Sequence, residues 1–241
     1  MTVGFEVFND QGYKIAGNDL PNLCFYGKGQ VNVPTTGLAV PMASGGVMNF
    51  YRSALPMAVI GGRIFLSGAN GNTADSQGQA GQVEYWSFGP VSPPATSGRY
   101  GLEIYSPEGV LTFNTARPFL QLLGRVSVTD DAFEYLNSKT GWRRYQTMVR
   151  ALPFSGSSLA FAIGNTRVYW TSQQFIDPQR GRIFTDTWRH MRTMHIDTLG
   201  RFASGLLWTG TVRYIGSQGN FNYSPNGAAP LTMLVADVSE L

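Results

Sequence analysis

The chain of 241 residues is 43% hydrophobic and 14% charged, with 29 Gly, 13 Pro and a net charge of +3. Aromatic residues at 13% supply a core that a disordered chain lacks. The small charged share excludes long charged helices and coiled coils, and the mild charge excludes a nucleic-acid partner, which would need clustered Lys and Arg.

The start, MTVGFEVFND, lacks the basic and apolar regions of an export signal, so a chain made without one is expected. No apolar run approaches the ~20 residues that cross a bilayer, so no membrane insertion is expected. Phe5 and Val7 alternate with Glu6 and predict a first strand; Asn9 to Gly12 then form a turn before a second strand at 13–15, which makes a β-hairpin. Cys24 is the single cysteine, so no internal disulfide forms. Strands are predicted at 47–51, 64–66 and 83–88, with a long surface loop over the Gly-, Asn- and Gln-rich residues 67–82. Residues 90–98 hold three prolines without apolar period and read as a linker. A second hairpin follows, its turn at Ser106 to Gly109 and its outgoing strand at 110–113. Further strands are predicted at 119–128, 145–149, 159–163, 167–171, 206–215 and 231–238. Only 130–137 reads as a helix, of one or two turns, with Asp130 as its cap.

The two hairpin words are related. GFEVFNDQG from Gly4 returns as GLEIYSPEG from Gly101, and this shift of 97 also aligns Pro21 with Pro118, Leu23 with Leu120, Gly27 with Gly124 and Val31 with Val128. Seven of 28 positions are identical, where about two are expected by chance. The same shift superposes Ala54-Leu55-Pro56 on Ala151-Leu152-Pro153, and Tyr85-Trp86-Ser87 resembles Tyr169-Trp170-Thr171 at a shift of 84. The first copy would then hold about 13 extra residues in its long loop. The expected fold is all-β, built as two tandem, jelly-roll-like β-sandwich modules related by internal duplication. Residues 1–90 form the first module, 91–98 the linker, and 99–241 the second with a C-terminal extension that either completes the sandwich or reaches a partner.

Few positions offer reactive chemistry. His190 and His195, the two histidines, stand five apart, which on a strand sends them to opposite faces and keeps one metal ion from taking both. No GxSxG elbow and no phosphate-binding glycine spacing is present. Asp130, Asp131 and Glu134, or Asp186 and Asp197, are the carboxylates that could pair for hydrolysis. The expectation is no enzyme, no metal and no cofactor. Trp142, Trp188 and Trp208 could stack on sugar rings, although sandwich cores bury such aromatics, and Trp86 and Trp170 are read as core. The tract from Ser217 to Gly227 mixes aromatics with amides, and Asn220, Phe221, Asn222, Tyr223 and Asn226 are its candidate receptor or glycan contacts. Fifteen of the eighteen basic residues are Arg, as protein interfaces prefer and as compositional drift would also produce. Residues 1–98 carry a net −1 and 99–241 a net +4.

The hairpin words GFEVFNDQGYKIAGND and GLEIYSPEGVLTFNTARPF, the approach Tyr85-Trp86-Ser87-Phe88 and the closing strand at 231–238 resemble minor tail proteins of long-tailed bacteriophages. The resemblance covers about a third of the chain. It implies a structural virion protein of the tail tip or baseplate, assembled in the host bacterial cytoplasm and acting in tail assembly and host attachment. The implied partners are other tail or baseplate proteins and further copies of the chain, with a trimer implied by the family. The alternative is a carbohydrate- or receptor-binding module that recognises the bacterial surface through 67–82 and 217–227.

Overall fold

The computed structural model describes residues 6–8, 14–17, 22–67, 78–91, 102–128, 149–154, 158–165, 168–177, 179, 181–197, 199–215, 222–223 and 231–241. The expected helix at 130–137 and linker residues 92–98 lie outside them. Among the described residues every element is a strand, and every pairing is antiparallel.

The first hairpin is β1 (Glu6–Phe8) with β2 (Lys14–Gly17), and the second is β9 (Glu103–Tyr105) with β10 (Leu111–Asn114). Their ladders coincide under the shift of 97. Glu6 pairs with Gly17, Val7 with Ala16 and Phe8 with Lys14; Glu103 pairs with Asn114, Ile104 with Phe113 and Tyr105 with Leu111. Each carries its bulge at the same step. Gly109, at φ 79°, supplies the left-handed residue that the second turn needs. The strands that follow, β3 (Leu23–Val33) and β11 (Gln121–Val128), also bulge at matching places, between Phe25 and Gly27 and between Leu122 and Gly124. A bulge adds an unpaired residue and sharpens the local twist, which bends an edge strand.

The remaining strands are β4 (Leu38–Ala39), β5 (Met48–Ser53), β6 (Met57–Ile60), β7 (Arg63–Leu66), β8 (Gly81–Pro90), β12 (Val149–Ala151), β13 (Leu159–Asn165), β14 (Val168–Asp177), β15 (Arg182–Ile196), β16 (Arg201–Ile215), β17 (Asn222–Tyr223) and β18 (Leu231–Asp237). One sheet runs β11-β18-β13-β5-β8-β3. The other runs β12-β16-β15-β6-β7-β4, with β14 on the free part of the β15 edge and β17 on β14.

The six-stranded sheet rolls up. Its two outermost strands meet at their starts, where Cys24 bridges Phe119, Phe25 N–H donates to Pro118 O at 2.8 Å and Leu120 N–H to Leu23 O at 2.8 Å. The enclosed face carries Phe25, Phe50, Trp86, Phe88, Ala160, Ala162, Leu234 and Ala236. Phe50 and Phe88 meet edge to face at 5.6 Å. Six strands enclose less room than the eight that just accommodate ordinary side chains, so the rings from β5 and β8 are met by alanines from β13 and β18. The opposite face packs on the second sheet through Tyr51, Val83, Phe161, Met233 and Val235 against Met57, Ile64, Leu66, Met194, Ile196 and Phe202. Burying each such side chain stabilises the fold by about 1.5–3 kcal/mol relative to leaving it in water.

This architecture corrects the expected organisation. Strands of 1–90 and of 99–241 share both sheets, through β5 with β13 and β6 with β15, and they share both cores. The described strands therefore do not segregate into two self-contained tandem sandwiches. Val91, expected in the linker, is buried with Cys24 and Leu111. The long loop is shorter than expected, because β8 already begins at Gly81 to pair with Val33, and Ser67 is buried. The Ala-Leu-Pro words are not equivalent either: Ala54 to Pro56 join β5 to β6, whereas Ala151 ends β12. Proline lacks an N–H and closes strands wherever it falls, which explains the recurrence.

Candidate functional site

The longest of the described strands form a ribbon, called the arm here, with one end in the core and the other exposed. β15 and β16 are each 15 residues long, about 50 Å at strand rise. Their ladder runs from Phe184 opposite Ile215 to Ile196 opposite Phe202. β14 adds a ladder from Val168–Met191 to Asp177–Arg182, and β17 borders β14 through Trp170–Tyr223 and Thr171–Asn222. At the tip, Gly181 with φ 57° reverses the chain between Asp177 and Arg182. Ile176 stands directly opposite Ile183, and the two are 68% and 40% exposed. An apolar cross-strand pair held in water at the end of a long ribbon contributes little to the fold, because the area it would remove from water stays wet.

At the other end of the β15–β16 ladder the turn is held by Asp197. Its Oδ1 accepts the N–H groups of Leu199 and Arg201 at 2.9 and 2.8 Å, and its Oδ2 accepts Arg201 Nε at 2.9 Å. Burial opposes ionisation of this carboxyl, but the Arg201 side chain and the two backbone donors prevail and hold it below the usual aspartate range. The chain turns here through Gly200 at φ 70°.

The sequence candidates fall as follows. Asn222 and Tyr223 form β17, while Asn220, Phe221 and Asn226 lie outside the described residues. His190 and His195 both sit on β15, five positions apart. His195 is buried, with Nδ1 3.2 Å from Ser53 O. Desolvation drives its pKa down, against weaker opposing pulls from the Ser53 carbonyl and from Asp197. Near it Ser67 Oγ lies 2.7 Å from Thr193 Oγ1, so that buried hydroxyl bonds another hydroxyl. Asp186 is the ladder neighbour of Arg213 and lies on β15 eleven positions before Asp197, which follows the strand's end. Among the described residues no three His, Cys, Asp or Glu side chains gather as metal ligands. Also among them, no helix is long and apolar enough to cross a membrane.

Trp86 is buried as expected and lies under the Arg52 guanidinium, 5.1 Å from its ring centroid, while Arg52 pairs with Glu84 at 2.5 Å. Its partner word does not match it in place: Trp170 lies on β14, a strand with no position in the rolled sheet. The arm tip was missed in the sequence. Its signal was present in Phe175-Ile176-Asp177 and Arg182-Ile183-Phe184, two apolar words around a Pro- and Gly-containing turn, the mark of a hairpin.

No family model, curated protein or solved structure matches the chain.

Proposed function

We propose that the chain is a structural protein of a bacteriophage tail tip or baseplate, acting in tail assembly and host attachment without catalysing a reaction. The observation that carries this reading is the ribbon of β14, β15 and β16, which is anchored in the core at Met194, Ile196 and Phe202 and ends at its other extreme in the exposed Ile176–Ile183 pair. A long ribbon with an apolar end reaches a neighbouring chain while the rolled sheet serves as its base. The tail-protein resemblance of the two hairpin words supports the same reading, and the partners it names are other tail or baseplate proteins and further copies of the chain.

The test is binding of purified chain to tail structures, followed by light scattering and sedimentation. Ile176→Ser with Ile183→Ser should abolish association while leaving the melting temperature within about 3 °C, since both side chains are already largely in water. A strictly monomeric wild-type chain that never joins tail structures would overturn the reading.

The edge position of β17 favours a second reading, a carbohydrate-binding surface that uses Asn222 and Tyr223 with Asn220, Phe221 and Asn226. Binding to a glycan array or to host cells, lost in Tyr223→Ala with Phe221→Ala, separates it from assembly.

A further inference from the structure

We infer that the chain is a fused pseudo-dimer: two copies of one six-strand unit that complete each other about a twofold axis. This does not depend on the proposed function. The first copy comprises β3 to β8, and the second comprises β11, β12, β13, β15, β16 and β18. In chain order the six strands of each copy alternate between the sheets in the same pattern: rolled sheet, second sheet, rolled, second, second, rolled. Each sheet reads the same from either end, β3-β8-β5 meeting β13-β18-β11 and β4-β7-β6 meeting β15-β16-β12. Each copy is preceded by a hairpin with the same register and bulge.

The ladders carry this to single residues. Following register from the matched bulges places Phe88 with Ala236, Phe50 with Ala162 and Met48 with Ala160. In the second sheet Met57 corresponds to Met194, Val59 to Ile196 and Ile64 to Phe202. Met57 and Met194 pair with each other, and both are fully buried. Leu120 N–H likewise bonds Leu23 O, its own counterpart. A residue that contacts its own equivalent lies on the axis of an isologous interface.

The weak sequence likeness then has a cause. Counterparts inside the rolled sheet share one narrow space, and at two of these positions it takes one large side chain with one small one. One copy supplies Phe50 and Phe88, and the other supplies Ala162 and Ala236. The shift of 97 fails beyond β11 because the second copy is the longer one there; a shift of 112 carries Leu38 to Arg150 and Met48 to Ala160. β14, β17 and the outer reaches of β15 and β16 have no counterpart among the described residues of the first copy.

The test is a size exchange across the axis in the full chain. β8 and β18 lie opposite each other in the ring, so Phe88→Ala opens a space that Ala236→Phe can fill from the other copy. Phe88→Ala alone should lower the melting temperature by about 10 °C and Ala236→Phe alone should also lower it. The double variant should regain at least half of the combined loss. Phe161→Ala, which empties the other core, should gain nothing from Ala236→Phe. If Phe88→Ala does not fold, Phe88→Leu with Ala236→Val reads the same coupling in urea midpoints. Losses that simply add, or equal rescue of Phe161→Ala, would overturn the assignment.

Discussion

His195 shows how burial changes an ordinary side chain. Its imidazole is enclosed beside the Ser53 carbonyl, and desolvation lowers its pKa below the usual 6.5. The unfolded chain therefore binds a proton at this residue at a higher pH than the folded chain does. Its contribution is fully present above pH 6.5 and is lost as the pH falls below that value toward the depressed folded pKa. Thermal melts taken from pH 7.5 to 5 should show stability declining through this window. His195→Asn, which keeps a donor for Ser53, should flatten that part of the profile. Asp197 acts in the opposite range: its folded pKa is depressed, so its contribution is present above the unfolded aspartate pKa of about 4 and fades as the pH falls further.

Among the elements, β8 bears the tightest steric demand. A Cβ at Gly89 would run into the backbone oxygen of Gly45, which cannot give way as a side chain would. Gly89→Ala should therefore cost about 1–3 kcal/mol, measured by urea denaturation. Gly62 offers the contrast: nothing lies near its Cβ position, but φ is 73°, so Gly62→Ala should cost only about 1 kcal/mol. The β5–β8 pair is fixed further by Asn49, whose Oδ1 accepts Ser87 Oγ at 2.7 Å while its Nδ2 donates to Pro41 O. Ser87 Oγ in turn accepts the Ala43 N–H at 3.0 Å, which fastens the loop before β5 over the sheet. These polar contacts were not legible in the sequence, because Asn49 and Ser87 are 38 residues apart and neither sits in a motif. The hairpins were legible, since an alternating strand, a turn glycine and a second strand are all local. β3 and β15 were not read as strands: Gly27 and Gly29 interrupt the first, and Arg189, His190 and Arg192 dilute the second.

At the scale of the molecule, both cores draw residues from both halves. The chain should therefore unfold in one cooperative transition by calorimetry, with the same midpoint in near- and far-ultraviolet circular dichroism. A cleavage site introduced within 92–98 sharpens the prediction. After cutting, the two pieces should still elute together at the size of the intact 26.3 kDa chain and part only in denaturant. Two transitions, or separation under native conditions, would contradict a shared core. Ile176 and Ile183 at the tip should matter little to that transition, because they remain exposed.

The sequence alone determined the all-β class and the two opening hairpins with their matching registers, because alternation and turn chemistry act over a few neighbouring residues. Only the tertiary structure decided that the halves interlock rather than stand in tandem. Partner choice in a sheet is set by burial between strands a hundred or more residues apart, as with Met57 and Met194, and no local pattern records it.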